Sequence, residues 1–218
     1  MPQLFSRRSN TLARISILGI VLFICLCGWV LYAVYWSPYT TLVTVPLPQP
    51  VPFSHQHHVS GLGIDCRYCH TSVEKSAFAG VPSTETCMTC HSRLYTDAPL
   101  LAPVRQSFAQ ERPLKWSRVN SVPDFVFFNH SIHVKGGIGC TTCHGPLDHM
   151  PLTWKNETLY MRWCLECHND PARYIRPRES IFDVTWQPGP QQREAGKKLL
   201  QDYHVNNTQL ADCSICHR

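Results

Sequence analysis

Cys66-Arg67-Tyr68-Cys69-His70 sets the reading of this chain, because the same pattern returns four more times. The other copies are Cys87-Met88-Thr89-Cys90-His91, Cys140-Thr141-Thr142-Cys143-His144, Cys164-Leu165-Glu166-Cys167-His168 and Cys213-Ser214-Ile215-Cys216-His217. They use ten of the twelve cysteines. A bare Cys-x-x-Cys is half a zinc site, a redox pair or a disulfide loop as readily as anything else. The histidine after the second cysteine discriminates. Histidine is 12 of 218 residues, so five such coincidences by composition alone have a probability of roughly 10⁻⁶. Each copy reads as a covalent c-type haem attachment, with two thiols for the porphyrin vinyl groups and the histidine as first axial ligand. Numbered in chain order as motifs 1 to 5, they predict five haems, with His70, His91, His144, His168 and His217 on the irons.

Ile15 to Trp36 is 22 residues without a charge, about 33 Å as a helix and enough to cross a bilayer. Arg7, Arg8 and Arg14 precede it, and no Lys or Arg follows until Arg67. The positive-inside rule then predicts a single pass through the inner (cytoplasmic) membrane, N-terminus in the cytoplasm and haem domain in the periplasm. Trp29, Tyr32, Tyr35, Trp36 and Tyr39 suit an aromatic belt at the outer end. The run is longer than a usual signal-peptide core and no small-x-small site ends it, so a retained anchor is expected. Cys25 and Cys27 follow Ile24 and Leu26, where a lipoprotein site needs a small residue, and read as small apolar side chains.

The net charge of +5 does not point to nucleic acid. Three of the 20 basic residues are the flanking arginines, which leaves 17 against 15 acids outside. Five haems, each with two propionates and a ferric core, bring that domain to about −3. Roughly 34 residues per haem are too few to build an ordinary core around each. The expected fold is a multihaem cytochrome c: short helices and loops wrapped around five stacked haems, with one N-terminal transmembrane helix. Seventeen prolines and eleven glycines fit such a wrap.

A repeat organises the rest. Phe53-Ser54-His55-Gln56-His57-His58 lies just before motif 1, and Phe128-Asn129-His130-Ser131-Ile132-His133 just before motif 3. Both are Phe-x-His-x-x-His followed by two haem motifs. The expected divisions are a cytoplasmic N-terminus (1–14), a transmembrane helix (15–36), an extended proline-rich spacer (37–52), a first di-haem module with linker (53–124), a second (125–180) and a C-terminal segment with the fifth haem (181–218). Histidines three apart share a helical face, so His55, His58, His130 and His133 are expected as second axial ligands of four haems. His57 breaks the duplication. For the fifth haem Met150 and His204 are the leading candidates, with His149 and Met161 behind them. Trp116, Trp154, Trp163 and Trp186 read as haem-packing aromatics. Arg162, Arg173, Arg176 and Arg178 either pair with propionates or form a solvated face.

Several stretches resemble the pentahaem cytochrome subunit of alternative complex III: Pro52 to His58, Gly63 to Glu74, Pro123 to Val134, and Cys143-His144-Gly145-Pro146 with Met150. The resemblance runs from the anchor helix to motif 5. It implies a complex that oxidises membrane quinol on a polytopic subunit and passes electrons through a large iron–sulfur subunit into the pentahaem chain. From there they leave by a monohaem cytochrome towards a periplasmic acceptor. It also favours Met150 as the fifth ligand, although His149 stands beside it.

Three functions remain to be weighed. An electron-transfer subunit without a catalytic site fits best, since the spare histidines and methionines can close every iron. A self-sufficient multihaem quinol dehydrogenase needs an open haem beside the membrane, which the proline spacer and His55/His58 argue against. A haem reductase of nitrite type would be expected to carry an altered motif such as Cys-x-x-Cys-Lys, and none occurs.

Overall fold

The computed structural model describes Ser6 and residues 8–217. Arg7 lies outside them. The chain divides into two units, one up to Leu42 and one from Val43 onward.

In the first unit, α1 (Ser9–Tyr35) is a single 27-residue helix with no buried residue. It is long and apolar enough to cross a membrane. It starts ahead of the uncharged run and takes in Arg14, because Arg and Leu are good helix formers and nothing before Ile15 breaks the turn. The short α2 (Pro38–Thr41) follows, with Pro38 at its first position, where a missing N–H costs nothing.

In the second unit every haem motif opens or lies inside a helix. The helices are α3 (Cys66–Cys69), α4 (Thr84–His91), α5 (Ala102–Ala109), α6 (His130–Lys135), α7 (Cys140–His144), α8 (Met161–Asn169), α9 (Gln192–Asp202) and α10 (Cys213–Cys216). The Cys-x-x-Cys spacing sets both sulfurs on one face of a turn and brings the histidine to its end. Asp65 accepts the Arg67 N–H at the start of α3 (2.8 Å), a helix cap written into the sequence before motif 1. Residues 56–61, which hold His57 and His58, form a wide turn with i→i+5 bonding.

The polypeptide's own apolar core is thin. Nine hydrophobic side chains are buried among the described residues. Val73, Val134 and Ile181 make one cluster; Ala172, Ile175 and Leu200 make another, joined by Ile138 and Tyr203. Tyr68, Phe78, Tyr95, Phe125, Ile132 and Ile215 stay exposed around the motifs. Apolar side chains distributed in this way suit a domain whose centre is made by prosthetic groups.

From Val43 the proline-rich stretch is extended but not a free-standing spacer. Val43 and Pro46 bridge to Lys155 and Trp154. The Gln49 amide exchanges two hydrogen bonds with the Ser117 backbone (3.0 and 2.9 Å), and the Ser117 hydroxyl donates to the Pro48 carbonyl (2.9 Å). Prolines remove several N–H groups, so the Gln49 and Ser117 side chains add to the Thr44 N–H, which donates to the Lys155 carbonyl (2.8 Å).

Helix α9 packs on the 171–173 turn at Gly196, where a Cβ would run into the Ala172 carbonyl. In an open helix Gly→Ala stabilises by up to about 1 kcal/mol. Here Gly196→Ala is expected to destabilise by about 1–3 kcal/mol, the cost of overpacking. Thermal or denaturant unfolding checks the sign, and an unchanged or raised midpoint contradicts the packing.

Candidate haem sites

Nine of the twelve histidines share one arrangement. Each holds Nδ1 in a hydrogen bond to a fixed partner, and where that partner is a carbonyl Nδ1 carries the proton and Nε2 the lone pair. Seven use backbone carbonyls: His58 to Ser54 (2.8 Å), His70 to Gly80 (2.7 Å), His91 to Leu94 (3.2 Å), His130 to Ala77 (2.9 Å), His133 to Asn129 (2.7 Å), His168 to Leu210 (2.8 Å) and His217 to Phe125 (3.1 Å). His55 uses the Thr153 hydroxyl (2.8 Å). His144 faces the side-chain amide of Asn120 (3.1 Å), whose Oδ1 is buried without a partner. Turning that amide over places Oδ1 against Nδ1–H and satisfies both groups, which is the assignment the chemistry requires. The nine are the five motif histidines and His55, His58, His130 and His133. A neutral imidazole with Nδ1–H held by an acceptor and Nε2 exposed is the usual state of a metal-ligating histidine.

The other three histidines differ. His149 turns Nε2 toward the Asp148 carboxylate (3.3 Å). His57 has its ring edge against His58 and its backbone N–H on the Ser54 hydroxyl (3.1 Å). His204 sits at φ 55° just past α9.

The rings pair within each expected module. His58 and His91 have centroids 6.3 Å apart, His130 and His144 6.4 Å, and His133 and His168 6.2 Å. Two imidazoles on opposite sides of one iron, with Fe–N near 2.0 Å and roughly 1.15 Å from nitrogen to ring centre, have centroids about 6.3 Å apart. The interplanar angles are 66°, 4° and 27° respectively. His55 and His70 are left for each other by elimination among the expected ligands, and the charge of His70 bears on His55 ahead of that of His58. Burial pulls His55 and His144 down to about 4, so both imidazoles are neutral and able to bind metal. The donor set therefore fits four bis-histidine haems.

The repeated phenylalanine packs against both histidines of each unit. Phe53 meets His55 edge-on (4.9 Å, 88°) and stacks on His58 (4.5 Å, 26°). Phe128 meets His130 edge-on (4.7 Å, 88°) and lies over His133 (4.5 Å, 31°). One ring contacts both candidate distal ligands of its unit, with the same geometry in both copies. Such aromatic contacts contribute about 0.5–1.5 kcal/mol each beyond burial.

The fifth motif's second ligand has several places to come from. Met150 is fully buried, and its carbonyl accepts the Gln56 N–H (3.0 Å), which sets it beside the His55–His58 turn. Met161 is exposed at the start of α8.

Among the four arginines, Arg176 is not on a solvated face. It is 3% exposed, stacked over Trp186 at 4.4 Å, and donates to Thr141 Oγ1 (3.0 Å) and Thr142 Oγ1 (3.1 Å) inside motif 3. Its hydrogen-bond partners are uncharged oxygens, and its Nε is buried unpartnered. A buried cation so placed fits an anionic propionate. Arg162 instead pairs with Glu166 (3.5 Å) on exposed α8, and Arg173 and Arg178 lie over Tyr174 and Tyr203.

Asn120 escaped the sequence reading, since a lone asparagine between motifs carries no pattern. Asn120→Ala removes the acceptor on His144 and makes that imidazole a poorer electron donor. The component of the redox titration that belongs to this site is expected to move to higher potential, and to move furthest. A titration identical to the wild type contradicts the assignment.

Residues 126–218 match the family model for cytochrome c7 and related cytochrome c. The chain is also 30% identical over 154 residues to the menaquinone reductase, multiheme cytochrome c subunit, of Nitratidesulfovibrio vulgaris. That match covers 61% of this chain and 73% of the relative. With its motif helices, its paired imidazoles and this kinship, the chain belongs to the multihaem c-type cytochromes and is an electron-transport protein.

Proposed function

We propose that the chain binds five c-type haems through its five motifs and is the membrane-anchored, extracytoplasmic electron-transfer subunit of a quinone-linked complex. The observation that carries this reading is the shared state of nine imidazoles, with Nδ1 held and three ring pairs at 6.2–6.4 Å. Bound haem supplies one-electron chemistry at these positions. The chain's own part is to offer paired imidazoles to four of the haems, which would leave no place for a substrate there and so argues for relay rather than catalysis. Arg176 offers a buried positive charge beside motif 3. The fifth iron is completed by Met150, or by His204, His149 or Met161.

The helix α1 serves as the single-pass anchor, N-terminus in the cytoplasm. The resemblance to the alternative complex III subunit supports a large iron–sulfur subunit, polytopic quinol-binding subunits and a monohaem cytochrome as partners. The relative's name raises a second reading, because a menaquinone reductase passes electrons toward the quinone. The two readings share the wire and differ in its direction.

The test is to tag the C-terminus, solubilise the membranes gently and identify what co-purifies, while assaying quinol oxidation and quinone reduction. Iron–sulfur and polytopic subunits are expected with the chain, and the isolated chain is expected to do neither reaction. A chain that purifies alone and turns over quinol overturns the proposal. Potentials above that of the quinone pool support quinol oxidation, and potentials below it support quinone reduction.

A further inference from the structure

We propose that the five attachment motifs form one unbranched line in the order motif 2, 1, 3, 4, 5, so that electrons enter and leave at Cys87–His91 and Cys213–His217. This rests on the ligand reading above and adds what the chain order conceals: the first motif is not an end of the line.

Each link has its own contact. Motif 2 meets motif 1 through a hydrogen bond between the Tyr68 and Thr89 hydroxyls at 2.7 Å, one residue from each motif's interior. Phe53 joins the same two sites by holding His55 and His58 together. Motif 1 meets motif 3 across the modules. The Ala77 carbonyl, on the segment after motif 1, accepts both the backbone N–H and the ring Nδ1–H of His130, at 3.2 and 2.9 Å. The Cys66 and Cys140 thiols hydrogen-bond to each other, and His70 and His55 are the next histidine neighbours of His144 after His130. Motif 3 meets motif 4 through Phe128, which holds His130 and His133, and through Cys143, whose thiol neighbours are Cys167 and Cys164. Motif 4 meets motif 5 where His168 donates to the Leu210 carbonyl at 2.8 Å, three residues before Cys213, and where Cys164 neighbours Cys216.

Exposure agrees with the order. Of the ten attachment cysteines, the two that are exposed are Cys90 and Cys213, one in each terminal motif. The chain duplicates a di-haem module, and the two modules join through their first motifs. That leaves the second motif of the first module at one end. The second motif of the other module passes the line on to motif 5. Along such a line each one-electron transfer oxidises one site as it reduces the next, with no proton or further reagent. The donor and acceptor are the redox partners of the complex.

The test uses the full-length, haem-loaded protein and two distal-ligand variants that keep every cysteine. His58→Met and His130→Met are each expected to give a thioether-ligand near-infrared band and to raise the potential of the substituted site. Neighbouring redox sites feel one another's charge. In potentiometric titrations followed by electron paramagnetic resonance, His58→Met is therefore expected to shift one other component, and His130→Met two. If the band appears but His58→Met shifts two or more, or His130→Met only one, the order is overturned and the ligand reading stands. If neither variant gives the band, the ligand reading fails and the order fails with it. Should His130→Met not mature, His133→Met takes its place, again with two shifted neighbours expected and one shifted neighbour overturning the order.

Discussion

A proton held on Nδ1 is the constraint on which the rest depends. An imidazole offered to iron must be neutral and must present Nε2 in a fixed direction. Nine histidines meet that requirement through one hydrogen bond each, seven of them to backbone carbonyls. A carbonyl has no rotamer to lose and cannot be protonated, so the bond fixes tautomer and ring orientation together. The fold can be understood as a device for bringing those carbonyls to those rings. His130 takes its acceptor from the first module, at Ala77; His168 takes it from the loop before motif 5; His217 takes it from Phe125, just before the second module's phenylalanine. Each such bond fixes a candidate ligand and also ties its element to a distant segment of the chain.

This explains how so thin a protein core suffices. Two small apolar clusters and a few buried residues would not hold a domain of this size. Long-range ligand bonds and covalently attached groups replace much of what an apolar centre normally supplies. The phenylalanine of each Phe-x-His-x-x-His unit adds a local version of the same economy, since one ring orients two ligands.

The motifs and the duplicated phenylalanine–histidine units were legible in the sequence because their spacing is local. A cysteine pair three residues apart and a histidine one step on belong to a single helical turn, and composition makes their repetition improbable by chance. The acceptors were not legible. Ala77, Leu210 and Phe125 act through their carbonyls, which every residue possesses, and they lie far along the chain from the histidines they serve. Thr153 and Asn120 act through side chains, but at separations that follow no period. The proline-rich stretch was legible as extended and not as docked, because Gln49 and Ser117 find each other only in the folded chain. The sequence left Arg176 open between a propionate partner and a solvated face, because its burial depends on Trp186 and the motif 3 threonines closing over it.

The coordination of the irons is the property from which the rest follows. Near-infrared magnetic circular dichroism of the oxidised full-length protein counts bis-imidazole sites directly, against a haem count from the intact mass. Five haems with at least four bis-imidazole bands are the predicted result. Fewer than four, with methionine, water or high-spin signals in their place, would contradict the pairing of His55, His58, His130 and His133 with the motif histidines.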